Sequence, residues 1–190
     1  MELKGSQTEK NLLSAFAGES QARNRYTYFA TKAREEGYEQ IAEIFIETAE
    51  NEREHAKVFF QYLEGGEAEV SAAFPAGVIG DTAANLEAAA AGERYEHSQM
   101  YPEFARVAQE EGFAEIAKSY RAVAVVERQH EKRYNELLAN VRQGTVFKKD
   151  EPVRWKCRNC GYVHTGKEPP ETCPACRYAR NHFEVLAENW

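Results

Sequence analysis

The 190-residue sequence contains no uninterrupted apolar segment of the length that a membrane-spanning helix needs. Its first ten residues, MELKGSQTEK, also lack the apolar core of an export signal, so we expect a cytoplasmic protein. Basic residues are in the minority, with 24 Lys and Arg against 31 Asp and Glu and a net charge of −7. Such a surface does not attract phosphate groups, and we expect neither a nucleic-acid nor a membrane partner.

Cysteine is absent from the first 156 residues, and all four cysteines lie near the C-terminal end. In a chain without an export signal, this clustering favours a metal site over disulfide bonds. Glycine and proline are scarce between residues 6 and 142, where Ala, Glu, Leu and Arg are abundant, so this region predicts long helices. No nucleotide-binding G-x-G-x-x-G motif occurs, which argues against direct use of NAD(P)H.

Capping residues and glycines divide the helical region into four predicted helices, near 6–36, 38–64, 81–111 and 113–143. Ser6 with Glu9 has the pattern of a capping box, and Asp81 is a candidate cap for the third helix. The short turns EEGYEQ and EEGFAE join the helices into two antiparallel hairpins. The segment GGEAEVSAAFPAGVIG is long enough to run the length of the bundle, as in an all-α ferritin-like four-helix bundle with a long crossover. A long surface loop is the alternative.

The two hairpins have similar sequences at an offset of 75 residues. This offset aligns EEGYEQIA with EEGFAEIA and Tyr26 with Tyr101. It also aligns two Glu-x-x-His pairs, Glu52 with His55 and Glu127 with His130. An extended internal repeat of this kind predicts a core with pseudo-two-fold symmetry.

One irregularity interrupts the repeat in the third helix. Glu19 precedes Tyr26 by seven residues, whereas Glu93 precedes Tyr101 by eight. A helix accommodates a single extra residue as a π-bulge, a feature that is frequent at functional sites. We therefore predict a π-bulge near residues 93–101.

Helical periodicity places both Glu-x-x-His pairs on apolar seams that face the core. Carboxylates of the first and third helices lie on the matching faces, so seven side chains are predicted to converge: Glu19, Glu52, Glu93, Glu96, Glu127, His55 and His130. Buried carboxylates without partners are very unfavourable. Two divalent cations would offset four of the five negative charges, which favours a dinuclear site for iron or manganese. A single Glu-x-x-His occurs by chance on solvated helices, but two copies on two seams argue against that explanation.

Other residues near this predicted site allow more than one interpretation. Tyr26 and Tyr101 are either ordinary core aromatics or residues whose hydroxyls hold ligand carboxylates. Three histidines, His97, His164 and His182, have no repeat partner, and we expect surface or local structural roles for them.

The C-terminal region contains the spacing C-x2-C-x12-C-x2-C, formed by Cys157, Cys160, Cys173 and Cys176. Two such pairs form two knuckles around one tetrahedral metal ion, and the thiolates alone leave zinc and iron open. The region is too short and too rich in turns to fold without such a staple. We predict a helical domain at 1–147 and a four-cysteine metal domain at 148–190.

Taken together, these motifs resemble the rubrerythrin family. AFAGESQARNRY, ETAENEREHAK, FPAG, ERQHEKR and CRNCGY…CPAC occur in the family's order over essentially the whole chain. The resemblance implies a ferritin-like bundle followed by a small rubredoxin-like domain of strands and loops. It implies a peroxidase that reduces hydrogen peroxide to water and protects against oxidative stress. The implied cofactors are two irons, oxo-bridged when oxidised, and one iron held by four cysteines, where zinc is also possible.

The resemblance also assigns roles to individual positions. It implies six ligands of the oxidised di-iron cluster: Glu19, Glu52, Glu93, Glu96, Glu127 and His130. His55 would replace Glu96 as a ligand on reduction, and the predicted catalytic residues are Glu96, His55, Tyr26 and Tyr101. The implied partners are an external NAD(P)H-linked reductase or small redox protein and a second copy of the chain, in a homodimer. A ferroxidase or iron-storage protein and a non-catalytic metal-binding module are the alternatives.

Overall fold

Within residues 2–190, which the computed structural model describes, the chain forms a helical bundle and a small sheet. The first hairpin consists of α1 (Gln7–Glu35) and α2 (Glu39–Tyr62). The second pairs a composite helix with one long helix, in the order α3 (Thr82–Tyr95), a π-helical turn (Glu96–Met100), α4 (Tyr101–Glu110) and α5 (Ala114–Gln143). This is the predicted ferritin-like four-helix bundle, and the π-helical turn confirms the prediction drawn from the irregular repeat.

The predicted side-chain caps form at Ser6 and Asp81, but the capping box at Ser6 is incomplete: Glu9 accepts a hydrogen bond from the backbone amide of Gly5 at 2.6 Å and not from that of Ser6. The side chains of Ser6 and Asp81 each accept a hydrogen bond from the backbone amide three residues on, at 3.0 Å and 2.8 Å. Gly37 and Gly112, at the ends of α1 and α4, have φ angles of 81° and 90°. Glycine adopts this left-handed conformation without the strain that a Cβ imposes, so both turns are as tight as predicted.

Each hairpin turn also caps the first helix of the other hairpin. The carboxylate of Glu111 accepts hydrogen bonds from the backbone amides of Gln7 at 3.1 Å and Thr8 at 2.8 Å. In the same way, Glu36 accepts one from the amide of Thr82 at 2.9 Å. A carboxylate at a helix N-terminus satisfies free amides and complements the helix dipole. These hydrogen bonds connect the two hairpins at both ends of the bundle.

The crossover between the hairpins, residues 63–81, contains no helix or strand. It runs along the bundle beside α1, where a Cβ at Gly18 would lie only 3.6 Å from the ring of Phe74. The crossover of a ferritin-like bundle is therefore confirmed.

The core has an apolar layer on each side of a charged centre. One layer is built around Tyr26, Phe45 and Tyr134, and the other around Phe59 and Tyr120. All of these side chains are at most 1% exposed. The buried carboxylates lie between the two layers, so the fold shields them from water on both sides.

The C-terminal region forms an antiparallel sheet of β1 (Val153–Cys157), β2 (Val163–Gly166) and β3 (Phe183–Val185), with β1 in the middle. Its small core contains Trp155, Phe183, Cys157 and Cys173. A core of this size cannot stabilise a domain alone, which agrees with the expected metal staple.

The sheet domain packs against the end of the bundle that carries the α1–α2 turn. His182 Nε2 of this domain lies 4.0 Å from Glu39 Oε1, and just before the domain the ring of Phe147 stacks on Tyr38 at 6.2 Å. The domain boundary between residues 147 and 148 stays a prediction. Among the helices of residues 2–190, none combines the length and the hydrophobicity that a transmembrane segment requires.

Candidate metal centres

Buried carboxylates and imidazoles meet at the middle of the bundle in two overlapping groups. The donor atoms of the first group, Glu19, Glu52, His55 and Glu127, all lie within 4.8 Å of one another. The same holds for the second group, Glu52, Glu93, Glu127 and His130. Because Glu52 and Glu127 belong to both groups, the arrangement suits two adjacent cations bridged by carboxylates.

The two imidazoles have similar surroundings, because each lies close to both Glu52 and Glu127. His55 Nδ1 lies 2.9 Å from both Glu52 Oε2 and Glu127 Oε1. His130 Nδ1 lies 2.8 Å from Glu127 Oε2 and 3.3 Å from Glu52 Oε1. The i, i+3 spacing produces this geometry, because it projects Glu and His of each pair from the same face of α2 or α5.

The hydrogen bonding of these groups tests whether they fit metal ions. Within the described residues, several fully buried atoms that could bind a metal ion have no hydrogen-bond partner: Glu19 Oε2, Glu52 Oε1, Glu93 Oε2, both Glu127 oxygens and His130 Nδ1. The short contact between His130 Nδ1 and Glu127 Oε2 therefore lacks hydrogen-bond geometry. Buried charges without hydrogen-bond partners are very unfavourable, whereas bound cations would give each of these atoms a partner. The residues fit a pair of divalent metal ions.

The pKa values show the same crowding of charge. Burial raises the pKa of Glu19 and Glu93, and repulsion from Glu52 raises both further. For His55, burial opposes protonation, but the negative charges of the adjacent Glu127 and Glu52 carboxylates outweigh it and raise the pKa to about 9. Without metal the site therefore retains protons, which a bound cation would displace.

Two buried tyrosines hold carboxylates of the opposite hairpin. The hydroxyl of Tyr26 donates a hydrogen bond to Glu93 Oε1, and that of Tyr101 donates to Glu19 Oε1. Their rings pack in the two apolar layers, so each residue combines both of the interpretations drawn from the sequence. Their catalytic role stays a prediction.

The structure treats Glu96 differently from the other predicted ligands. It is the first residue of the π-helical turn, it is half-buried, and it belongs to neither group of clustered donor atoms. His55 instead provides a donor to the first group. The ligand role of Glu96 stays a prediction.

A polar cluster beside the π-helical turn was missed from the sequence. Glu131 Oε2 lies 2.6 Å from His97 Nε2, and Glu131 Oε1 accepts a hydrogen bond from Arg94 Nε at 2.7 Å. The side chains of His97 and Glu131 are each only 13% exposed. The signal in the sequence was the position of His97 within the predicted π-bulge.

The four cysteines form a second candidate metal centre. All four sulfur atoms lie within 4.8 Å of one another, and the cysteines are free thiols. Two of the separations are 3.7 Å, between Cys157 and Cys176, and 3.6 Å, between Cys160 and Cys173. A tetrahedron with metal–sulfur bonds of about 2.3 Å has edges of roughly 3.8 Å. The cluster therefore fits one tetrahedral metal ion.

Comparisons with known proteins agree with both centres. The family model described as Rubrerythrin matches residues 10–138, and the model described as the rubrerythrin rubredoxin-like domain matches residues 155–184. The chain is 57% identical to a rubrerythrin of Nitratidesulfovibrio vulgaris, over 99% of this chain and 98% of the relative. It is 59% identical to a rubrerythrin of Porphyromonas gingivalis, over 99% of this chain and 94% of the relative.

A solved structure shows the same similarity in three dimensions. Nigerythrin in a mixed-valence state aligns with 96% of this chain and 90% of its own, with a TM-score of 0.62 and 33% identity. The chain therefore belongs to the rubrerythrin family, with a ferritin-like di-iron site of Glu and His residues and a four-cysteine rubredoxin-like site.

Proposed function

We propose that the protein is a non-haem di-iron peroxidase that reduces hydrogen peroxide to water in the defence against oxidative stress. The observation that supports this most is the sharing of Glu52 and Glu127 between two groups of buried donors. Reduction of one hydrogen peroxide consumes two electrons and two protons and yields two waters. Two irons held by the Glu and His groups would supply both electrons, and an iron held by the four cysteines would replace these electrons one at a time.

The side chains around the site divide the remaining tasks. Glu52 and Glu127 belong to both donor groups and would be shared by the two metal ions, while Tyr101 and Tyr26 orient Glu19 and Glu93 through hydrogen bonds. Such hydrogen bonds fix the orientation of a ligand and tune its basicity. The buried carboxylates and nearby solvent provide the two protons.

We also propose that His55 and Glu96 exchange as ligands when the redox state changes. The structure supports this, because His55 lies within the first donor group while Glu96 lies outside both groups. Glu96 begins a π-helical turn, where the regular i to i−4 hydrogen bonding is interrupted. A side chain at such a turn can shift without unwinding a whole helix.

The position of the four-cysteine domain supports a homodimer. Within one chain this domain contacts Glu39, at the start of α2, whereas Glu52 lies about 20 Å further along the helix at 1.5 Å per residue. That separation is long for direct electron transfer. We propose that each four-cysteine iron serves the bundle of a second copy, in the cytoplasm, and receives electrons from an external NAD(P)H-linked reductase or small redox protein.

Metal analysis and rapid mixing test this function. We expect about three irons per chain in anaerobically purified protein, and a red ferric-thiolate colour that returns when the reduced protein consumes peroxide. The Cys173→Ser variant should retain a single reoxidation of the bundle by peroxide but lose the colour and steady turnover. Wild-type protein with iron in both metal centres that does not react with peroxide would contradict the proposal.

The alternatives make different predictions. A ferroxidase or iron-storage protein would assemble into a large hollow shell and accumulate far more iron than its ligand sites hold. A non-catalytic module would hold zinc in the four-cysteine site and turn over no peroxide. Light scattering and iron loading distinguish the first alternative, and metal identity with turnover distinguishes the second.

A further inference from the structure

A cavity of about 280 Å³ lies between α1, the π-helical turn and the crossover. Gly18 and Arg25 of α1 and Glu96 of the π-helical turn form part of its wall. Crossover residues 71–75, including Phe74 of the FPAG motif, cover it from outside. The crossover is therefore the roof of this cavity as well as a connection.

The inner wall of the cavity adjoins the di-iron site. Gly18 and Gly92 line the cavity, and each directly precedes a buried candidate ligand, Glu19 and Glu93. Glu96 is itself part of the wall. Of the predicted ligands, Glu96 is therefore the one that a small molecule in this cavity would meet directly.

The roof is suited to restrict entry by size. Phe74 is 39% exposed at the outer side, and its ring would meet a Cβ at Gly18 at 3.6 Å. Residues 66–78 of the crossover make no backbone hydrogen bond to the described part of the chain. A segment held only by side-chain contacts can move without disturbing the bundle.

The wall also provides polar groups for a small guest. The Nε of Arg25 is buried and has no hydrogen-bond partner in residues 2–190. Asn11 and Ser14 lie in the same wall. Liquid water occupies about 30 Å³ per molecule, so the cavity has ample room for hydrogen peroxide. A bulky alkyl group would instead have to pass Phe74.

We propose that this cavity is the path by which hydrogen peroxide reaches the metal site, and that Phe74 excludes larger hydroperoxides from it. The inference depends on the proposed peroxide reduction. A groove on the outside of the first hairpin, lined in part by Phe16, Arg53 and Phe60, is the competing path. That groove also contains sequence neighbours of candidate ligands, namely Ser20, Arg53 and Ala56, but none of the candidate ligands itself. Glu96, in contrast, lies in the wall of the cavity under the crossover.

The test compares three variants of the full-length, iron-loaded protein. Phe74→Ala widens the proposed entrance, Phe60→Ala removes a similar ring from the competing groove, and Ile79→Ala shortens an exposed crossover side chain outside the cavity. The first readout is the rate of azide binding to the oxidised protein, followed by visible absorption. The second is the ratio of the rate constants for tert-butyl hydroperoxide and hydrogen peroxide.

For Phe74→Ala, azide binding should be faster and the ratio should rise by roughly tenfold or more, as expected when a pocket loses several methylene-sized groups. The two controls should match wild type. Ser14→Phe, which places a ring in the cavity from α1, should slow azide binding. This variant tests the path independently if Phe74→Ala folds poorly. Unchanged values in Phe74→Ala and Ser14→Phe, or equal changes in Phe60→Ala, would overturn the path. Faster azide binding in a protein that does not reduce peroxide would refute the function and leave the path intact.

Discussion

The hydroxyl of Tyr101 donates a hydrogen bond to Glu19 across the bundle, linking the second hairpin to a candidate ligand of the first. The repeat-related Tyr26 forms the reciprocal bond to Glu93. Each hairpin therefore positions a carboxylate that the other hairpin provides. The geometry of the metal site depends on correct docking of the two halves, and the same docking is reinforced by the cross-hairpin caps Glu36 and Glu111.

Removal of the Tyr101 hydroxyl should weaken metal binding without unfolding the bundle. In Tyr101→Phe, Glu19 loses the donor that orients it, and we expect metal affinity to fall by about 10- to 100-fold. Tyr120→Phe is the matched control, because Tyr120 stacks on Tyr101 at 5.9 Å and its buried hydroxyl has no partner in residues 2–190. Titration of metal-free protein with Fe(II) or Co(II) measures the difference. Equal affinities for the two variants would show that the hydrogen bond has no such role.

The metal-free protein should lose stability as the pH rises from neutral to alkaline. The pKa of His55 is raised from 6.5 to about 9 and that of His130 to about 12, because the negative charges of adjacent buried carboxylates outweigh the effect of burial. A raised pKa stabilises the folded state fully below the unfolded value and loses that effect as pH rises through the folded value. The raised pKa values of Glu19 and Glu93 act in the same direction. The pKa of Glu127 is lowered to about 2, so this group changes the stability only at acidic pH.

Calorimetry of metal-free and metal-loaded protein between about pH 6.5 and 9 tests this expectation. The melting temperature of the metal-free protein should fall across this range. That of the loaded protein should change less, because the cation has already displaced the protons. A melting temperature that rises with pH in the metal-free protein would contradict the assigned pKa directions.

His55→Ala should slow peroxide reduction if this imidazole takes part in the redox-linked exchange with Glu96. The imidazole provides a donor atom to the first metal group, and the alanine side chain provides none. Lys57→Ala, two residues on and 61% exposed, is the control. Stopped-flow reoxidation and the reduction potential of the bundle site provide two readouts. Wild-type rates and potential in His55→Ala would exclude this role.

Glu131→Gln should loosen the π-helical turn. Glu131 contacts Arg94 and His97, which lie on either side of Glu96, so its carboxylate anchors this segment to α5. We expect faster hydrogen exchange of the amides in Glu96–Met100 and a shifted potential of the di-iron site. The control is Glu136→Gln, because Glu136 is 67% exposed and pairs only with Lys132 in the described residues. Equal exchange rates in both variants would show that the anchor is unimportant.

Sequence periodicity predicted the features that depend on the spacing of residues along a single helix. The Glu-x-x-His pairs, the caps at Ser6 and Asp81 and the π-helical turn all follow from spacing along one helix, and the structure contains each of them. Contacts between residues of different helices were harder to predict from the sequence. The anchoring of His97 by Glu131 joins residues 34 positions apart, and the capping of Thr8 by Glu111 joins residues 103 apart. Neither contact leaves a periodic pattern, because each depends on how the hairpins dock.

Removal of metal from the four-cysteine site should unfold the C-terminal domain and leave the bundle folded. The domain has a small core around Trp155 and relies on the cysteine cluster, whereas the bundle has two extensive apolar layers. Both tryptophans of the chain, Trp155 and Trp190, lie in this domain, and only Trp155 is buried. Tryptophan fluorescence therefore reports on this domain alone.

In zinc-substituted protein, chelation should shift the emission of Trp155 to longer wavelength, because its ring leaves the core and its hydrogen bond to the carbonyl of Gly166 is lost. Far-UV circular dichroism, dominated by the helices, should change little, and Cys173→Ser should show the shifted emission without chelator. If the emission stays unchanged on complete metal removal, the hydrophobic contacts of Trp155 and Phe183 suffice to fold the domain. In that case the four thiolates serve electron transfer alone and not folding.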